Sequence, residues 1–310
     1  MNEFELISRL RSGLPRNSSV ITGAGDDCAV LDLGIPERWV LFKTDAVVEG
    51  VHFTRDTPPG KIGRKALGRC LSDIAANAGI PSAALVTLGL PADYDPEFIV
   101  RVYEGLNELA RSFDVAVVGG ETTRNQGGLF ISVSVVGTVE KSRCPLRSAA
   151  KAGDALFVTG ELGGSLEGRH FDFVPRIEEG RWLAARFPLH AMIDLSDGLA
   201  GDLRHILEES RVGAELLSSA IPVSRAAKRR ARAEGSSKTP LLAALTDGED
   251  FELLFTLPSG SAVALLDAWK TAFPRLRLSC IGKITAEPGL RIRSEQGVLP
   301  LTSHGYVHFK

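Results

Sequence analysis

Acidic residues recur along most of the chain, either at the ends of apolar, strand-like runs or in glycine-rich turns. The segments that carry them are Gly25-Asp26-Asp27, Lys43-Thr44-Asp45, Leu71-Ser72-Asp73, Gly119-Gly120-Glu121, Asp194-Leu195-Ser196-Asp197-Gly198 and Asp247-Gly248-Glu249-Asp250. Carboxylates placed this way converge only if a positive charge holds them together. Mg²⁺ is the usual candidate, because it is a hard cation that prefers oxygen ligands and often brings phosphate with it. The pattern therefore predicts metal-dependent phosphate chemistry.

The segment around Asp194 and Asp197 is the most informative of these. A predicted strand ends there, two carboxylates alternate with the hydroxyl of Ser196, and a predicted helix begins. Capping that helix needs only one of Ser196 and Asp197. The two carboxylates, about one strand alternation apart, therefore fit a shared cation. Asp202, one helical turn further on, is interpreted as a solvated or capping group.

The other acidic segments are less specific when taken alone. Turn chemistry favours glycine and aspartate, so Asp26 and Asp27 fit a structural turn as well as a functional site. Asp45 ends an apolar strand, where a carboxylate is costly unless it is paired or solvated, which favours a functional role. The glycines and hydroxyls of 119–123 could cradle a phosphate with backbone amides. No GxxxxGK[ST] segment is present, so any use of ATP does not depend on a Walker motif.

Composition excludes several classes of protein. The 310 residues are 44% hydrophobic and 24% charged, which is typical of a globular protein of about two domains. The net charge of −2 and the lack of any apolar run near 20 residues predict neither a nucleic-acid nor a membrane partner. The basic run 225–232 has no interleaved aromatic residues and is interpreted as the wet face of a helix. The four cysteines form no CxxC pair, which indicates a reducing, cytoplasmic setting.

Periodicity predicts alternating strands and helices in both halves of the chain. The first half shows an amphipathic helix at the N-terminus, strands over 40–44, 47–53, 115–118 and 129–139, and helices over 61–78 and from Asp95-Pro96 onward. His52 falls within one predicted strand, and Glu121 within a turn between two others. The second half shows strands over 155–159, 191–194 and 251–256, helices over 199–209 and 261–272, and short C-terminal strands. A small, basic, turn-rich stretch near 145–153 marks the predicted boundary between domains 1–145 and 146–310. We therefore expect an α+β protein with a cleft between two lobes.

In order along the chain, these segments resemble those of the thiamine-monophosphate kinase family, part of the aminoimidazole ribonucleotide synthetase-like superfamily. The matching stretches are 25–31, 43–45, 49–53, 71–76, 119–124, 154–160, 194–199, 248–253 and 305–309. They cover nearly the whole chain. TDxxVEGVHF, which begins at Thr44, and DLSDGL, which begins at Asp194, are the most specific of them.

The resemblance implies ATP-dependent phosphorylation of thiamine monophosphate to thiamine diphosphate, with Mg²⁺. It implies a two-domain synthetase-like fold: an N-terminal ATP- and metal-binding mixed sheet with helices, through which a homodimer forms, and a C-terminal α/β sandwich. The implied metal ligands are Asp27, Thr44, Asp45, Asp73, Glu121, Asp194 and Asp197. The implied ATP contacts are Gly120, Glu121, Arg147 and Ser196, and the implied thiamine contacts are His52, Glu249 and Tyr306. Asp197 and Arg147 are the implied catalytic residues.

Three departures from the family pattern are visible. Glu121 stands where the family has aspartate, and Lys43 stands where it often has a small hydroxyl residue, so that the lysine either pairs with phosphate or points away. The stretch 164–179 is shorter than usual and lacks room for a long helix. Two alternatives remain open at this point: another ATP-dependent enzyme of the superfamily with a different acceptor, and a degenerate member that only binds nucleotide.

Overall fold

Strands of the first half form one mixed sheet in the computed structural model, which describes residues 3–233, 238–303 and 305–306. They are β1 Val20–Thr22, β2 Ala29–Leu31, β3 Arg38–Val48, β4 Ile80–Leu90, β5 Ala116–Arg124 and β6 Phe130–Glu140. Their order across the sheet is β1-β2-β3-β6-β4-β5. The β4–β5 pair is parallel, and the other pairs are antiparallel. A helical crossover joins β4 to β5, as a parallel pair requires.

Helices cover one face of this sheet and leave the other face open. The helices of the first half are α1 Glu3–Arg11, α2 Pro59–Ala76 and α3 Pro96–Ser112. As predicted, α3 begins after Asp95, whose carboxylate accepts a hydrogen bond from the backbone amide of Glu97. Apolar side chains of α2, among them Ile62 and Leu71, are fully buried. The alternation of β3 accordingly points Leu41 and Val47 toward the helices and Phe42 toward the open face.

The second half forms a sheet that is buried on both faces. Its strands are β7 Asp154–Thr159, β8 Met192–Asp194, β9 Gly213–Leu217, β10 Leu253–Pro258, β11 Leu278–Thr285, β12 Gly289–Ser294 and β13 Gly297–Pro300, in the order β13-β12-β9-β11-β7-β10-β8. Its helices are α4 Arg169–Asp172, α5 Ile177–Arg186, α6 Leu199–Ser210, α7 Arg225–Arg230, α8 Pro240–Thr246 and α9 Ala262–Ala272. On β7, Phe157 packs into the core shared with α2 and α9, and Leu156 into a second core beside α6. The result is an α/β sandwich, as expected.

Three predicted element boundaries at site residues are wrong. The strands predicted over 40–44 and 47–53 begin as one strand, β3, so Asp45 lies inside a strand rather than at its end. The predicted strand over 47–53 ends at Val48, because Gly50 adopts a φ of +83° and turns the chain, so His52 lies in a turn. Glu121 and Gly120 lie inside strand β5 rather than in a loop. A Cβ atom at Gly120 would sit 1.8 Å from the carbonyl oxygen of Val86, so glycine serves close strand packing there. No helix in the described ranges is long and apolar enough to cross a membrane.

Candidate active site

Three carboxylates from distant parts of the sequence converge where the two halves meet. Asp27 lies in the turn before β2, Asp73 on α2, and Asp194 at the end of β8. Each offers one carboxylate oxygen, and these oxygens lie within 4.8 Å of one another. All three residues are buried. Like charges this close repel strongly in a site with little water, so the arrangement calls for a cation or for protons.

The electrostatics of this group fit a hard divalent cation. Burial, and after it the charge of Asp27, raises the pKa of Asp194 to about 7. Burial likewise raises the pKa of Asp73 well above its usual range, and its acidic neighbours add to the effect. The hydroxyl of Ser72 donates a hydrogen bond of 2.5 Å to Asp194, which holds that carboxylate in place. An all-carboxylate donor set is the kind that Mg²⁺ and Mn²⁺ prefer, and such a cation would restore the charged forms.

Two protein cations lie beside this group, Lys43 on β3 and Arg69 on α2. The ammonium nitrogen of Lys43 is 2.7 Å from Oδ1 of Asp73. The Nε atom of Arg69, on α2, is 3.6 Å from Oδ2 of Asp45, an ion-pair distance rather than a hydrogen bond. Burial opposes the ionisation of Asp45, but the charges of Lys43 and Arg69 outweigh it and lower the pKa of that carboxyl group. The structure thus gives Lys43 a carboxylate partner, which the sequence had left open.

Arg147 fixes the turn that carries Asp27. Its Nη2 and Nε atoms lie 2.6 and 3.2 Å from the two carboxylate oxygens of Asp27, which is a bidentate pair. Its backbone amide donates to Asp26 at 2.9 Å, and the side chain of Asn77 donates to the same carboxylate at 3.0 Å. The guanidinium group of Arg147 is therefore held beside the three converging carboxylates, where it could offset the charge of a phosphate.

Ser196 and Asp197 lie just before α6 and line a cleft that Asp73 and Asp194 also line. Neither caps that helix with its side chain. Asp202 does so instead: its carboxylate accepts from the backbone amides of Asp197 and Gly198 at 3.1 and 3.0 Å. Asp202 is buried, so its interpretation as a capping group holds and its interpretation as a solvated group is wrong. Ser196 and Asp197 therefore line the cleft without serving as the helix cap.

A second, smaller cavity adjoins this cleft and contains the residues expected to hold thiamine. Its lining includes His52, Glu249 and Tyr306. Arg69, Ser196 and Asp197 line both the cleft and this cavity, so the two spaces share a wall. The backbone amide of Tyr306 donates to the carbonyl of Asp197 at 2.8 Å, which ties the C-terminal segment to the cleft. The last matching stretch continues over 307–309, which lies outside the described residues.

Glu249 is held by basic side chains that the sequence interpretation missed. Its carboxylate lies 2.6 Å from Lys65 Nζ, 2.8 Å from His170 Nδ1 and 3.5 Å from Arg69 Nη1. Lys65 also donates to the backbone carbonyl of His52 at 2.8 Å. A signal was available, since Lys65, Arg69 and Asp73 are spaced four residues apart and so share one face of α2. Charged residues on a face that also carries buried apolar residues are rarely there by chance.

Thr44 lies apart from the three converging carboxylates of Asp27, Asp73 and Asp194. Its side chain points to the open face of the sheet, opposite to Asp45, and lies within hydrogen-bond distance of the hydroxyls of Ser132 and Ser134 at 3.3 and 3.0 Å. Alternation along β3 explains this, because neighbouring residues of a strand face opposite sides. The threonine hydroxyl of this chain is therefore not beside Asp73.

Gly120 and Glu121 are also distant from the carboxylate group of the same chain. The pairing register aligns Asp45 with Val133, Val133 with Val86, and Val86 with Gly120. Three strand spacings separate the first from the last, which is roughly 14 Å. Glu121 is exposed on the edge strand and, one residue further, points to the open face. Within one chain, Glu121 and the three converging carboxylates are separate.

Comparison with known proteins places the chain in a family. The family model for the AIR synthase related protein, N-terminal domain, matches residues 25–139, and that for the C-terminal domain matches residues 151–295. A thiamine-monophosphate kinase from Rhodopirellula baltica is 41% identical over 99% of this chain and 97% of its own length. The thiamine-monophosphate kinase from Bacillus subtilis is 34% identical, with 100% of both chains covered. Among solved structures, AaThiL complexed with AMPPCP and TMP matches with a TM-score of 0.84 at 31% identity, over 99% of this chain and 97% of that one. The chain therefore belongs to the thiamine-monophosphate kinase family of AIR synthase related proteins.

Proposed function

We propose that this protein is a kinase that transfers the terminal phosphoryl group of ATP to thiamine monophosphate, giving thiamine diphosphate and ADP. One observation carries the proposal: the cleft lined by Asp73 and Asp194, with the carboxylate of Asp27 against them, shares a wall with the cavity of His52, Glu249 and Tyr306. Two adjoining spaces suit two substrates that must react with each other. AaThiL, which shares this fold, has been solved with AMPPCP and TMP together.

The carboxylate group is the proposed metal site. Asp27, Asp73 and Asp194 would hold Mg²⁺, and Asp45 and Asp197 line the same cleft. When bound, Mg²⁺ neutralises the charge of the ATP phosphates and of the acceptor phosphate. Glu121 and Thr44 do not belong to this site within one chain, because they face the other side of the sheet.

The reaction needs little chemistry from the side chains. The acceptor phosphate has a second pKa of about 6 and is mostly dianionic near pH 7, so it is already nucleophilic and needs no general base. An oxygen of that phosphate forms the new bond to the γ-phosphorus, and the bond to the bridging oxygen breaks as ADP leaves. Arg147 adds positive charge beside Asp27, and Ser196 is a proposed nucleotide contact. Gly120, which is distant within one chain, is a proposed nucleotide contact only across a dimer interface. We propose direct in-line transfer without a phosphoenzyme, which trapping of a phosphorylated residue during turnover would disprove.

The structure favours a positioning role for Glu249 over that of a counter-ion for the thiazolium ring. Lys65 and Arg69 already balance its negative charge, and His170 Nδ1 lies at hydrogen-bond distance from the same carboxylate. Glu249 has a φ of +53°, so the loop that carries it is strained and depends on such contacts. The exposed ring of Tyr306 remains the proposed π-face for the thiazolium cation.

A homodimer formed through the first sheet completes the proposal. The open face carries Phe42, Leu85 and Val136, which are 49%, 49% and 37% exposed, beside the edge strand β5. An exposed apolar face next to an unpaired edge favours a partner. Glu121 lies on this face, at the proposed interface, so any contribution it makes to a nucleotide site would be across that interface. We also propose that the two domains are residues 1–145 and 146–310. The protein is proposed to be cytoplasmic, which fits its free thiols.

The test is incubation of purified protein with Mg·ATP and thiamine monophosphate, followed by chromatography of thiamine diphosphate and ADP. We expect equal amounts of both, no product with Asp194→Asn, and normal product with Asp32→Asn. Asp32 is a matched control because its carboxylate pairs with Lys141 away from the cleft. ADP without thiamine diphosphate would indicate a sister enzyme with another acceptor. Bound ATP with neither product would indicate a nucleotide-binding protein without turnover.

A further inference from the structure

Lys43 is a cation built into the acidic cleft. It lies two residues before Asp45 on β3, so both side chains point to the helix-covered face of the sheet. Its ammonium nitrogen lies 2.7 Å from Asp73, and its side chain is only 22% exposed. The backbone of Lys43 pairs with Val135 in the adjacent strand β6, so the base of the side chain is fixed. The charge is therefore held in place by a rigid element rather than by a loop.

The cleft has two sides with different charge balance. On one side, the carboxylates of Asp27 and Asp194 lie with Asp73 in the group that could hold a cation. On the other side, Asp45 and the facing oxygen of Asp73 are already paired with Arg69 and Lys43. Among the described residues, Asp45 does not belong to the converging group. Two positive charges of the protein thus occupy the Asp45 side of the cleft.

We propose that the ammonium group of Lys43 acts as a resident cation that takes the place of a divalent ion between Asp45 and Asp73. Divalent-ion binding in the nucleotide-free protein is then confined to the group formed by Asp27, Asp73 and Asp194. This inference rests on the proposed metal-dependent function. Lys43 becomes a residue that sets how many metal ions the cleft accepts.

Electrostatics supports this assignment. A divalent ion placed between Asp45 and Asp73 would lie a few ångströms from the Lys43 ammonium group, where repulsion is strong because little water screens it. Arg69 approaches Asp45 from α2 at 3.6 Å and adds a second positive charge on this side of the cleft.

Counting Mn²⁺ ions on the nucleotide-free protein by electron paramagnetic resonance of free Mn²⁺ tests the proposal without any turnover. We expect Lys43→Met to bind one additional Mn²⁺ per chain, or to bind its weakest Mn²⁺ at least about tenfold more tightly than the unmodified protein. Lys43→Arg keeps the charge and should bind Mn²⁺ as the unmodified protein does. Lys141→Met is the matched control, because Lys141 also pairs with an aspartate at 2.7 Å but outside the cleft.

A further pair of variants covers the case in which Lys43→Met does not fold. In the otherwise unmodified protein, Asp27→Asn should weaken Mn²⁺ binding at least about tenfold, whereas Asp45→Asn should change it less than threefold. Equal losses in those two variants, or unchanged Mn²⁺ binding in a folded Lys43→Met protein, would overturn the proposal. In the latter case, a raised KM for ATP would identify Lys43 as a phosphate-binding group. Absence of Mn²⁺ binding in every protein would overturn the metal-dependent function as well.

Discussion

Lys65 on α2 and Glu249 in the loop before β10 form an ion pair across the two halves of the chain, with Nζ 2.6 Å from Oε2. Lys65 is 1% exposed and Glu249 is 15% exposed, so water contributes little to either charge. The same ammonium group donates to the carbonyl of His52. The pair thus holds the Glu249 loop against the helix that carries Asp73, and it links the substrate cavity to the carboxylate group.

The first prediction concerns the stability that this pair provides. Lys65→Met should lower the free energy of unfolding by about 3 kcal/mol, because removing one partner of a buried pair leaves the other charge poorly compensated. Lys61→Met is the control, since Lys61 lies one turn earlier on α2 and pairs with Asp172 in an exposed position. It should cost less than about 1 kcal/mol. Urea unfolding measures both, and equal losses would contradict the prediction.

The second prediction concerns acid pH and Glu249. Burial favours its neutral form, but the hydrogen bond from His170 and the charge of Lys65 prevail and lower its pKa from 4.5 to about 2. The folded pKa lies below the unfolded one, so the ionised carboxylate stabilises the fold above about pH 4.5. That contribution, about 3 kcal/mol, disappears as the pH falls toward 2.

Comparison with Glu249→Gln isolates this contribution from other titrating groups. The difference in unfolding free energy between the two proteins should be largest near pH 6 and should shrink as the pH falls below about 4.5. Chemical denaturation at a series of pH values measures it. A difference that stays constant down to pH 3 would show that the Glu249 charge does not stabilise the fold.

The sequence predicted the acidic residues of the site better than the basic residues that pair with them. Asp194 and Asp197 were identifiable because two carboxylates at a strand end exceed what a helix cap needs. Lys65 was not predicted, although its spacing from Asp73 places both on one face of α2, because the apolar periodicity that predicts the helix does not identify a buried lysine. Its partner Glu249 is 184 residues away, and no local pattern encodes such a pairing.

Strand register explains the remaining errors at the site. Glycines after an apolar run indicated a loop, but Gly119 and Gly120 continue strand β5. Glycine is required at Gly120 because the neighbouring backbone of β4 leaves no room for a side chain there. The resemblance implied both Thr44 and Asp45 as metal ligands, yet adjacent strand residues face opposite sides. Which side of the sheet the helices cover follows from tertiary packing. That packing determines that Asp45, and not Thr44, points toward the cleft.

The third prediction concerns Arg147, whose guanidinium group makes a bidentate pair with Asp27. Arg147→Ala should lower kcat at least tenfold while changing the KM for ATP less, because charge on the transferred phosphoryl group is stabilised chiefly in the transition state. Arg147→Lys keeps the charge without the planar fork and should be intermediate. Steady-state assays of ADP release measure both constants. A raised KM with unchanged kcat would assign Arg147 to nucleotide binding alone.

The fourth prediction concerns Glu121, which lies on the open face of β5, roughly 14 Å in register from the Asp45 position. If the partner supplies this carboxylate, Asp194→Asn and Glu121→Ala should each be inactive as homodimers. Their heterodimer, purified with two different tags, should regain about half of the activity per dimer, because one of its two sites is then intact. The control heterodimer of Asp194→Asn with Asp27→Asn should stay inactive, since both changes lie in the carboxylate group and leave no intact site. No recovery in the first pair, or full activity of Glu121→Ala alone, would show that Glu121 does not act across the interface.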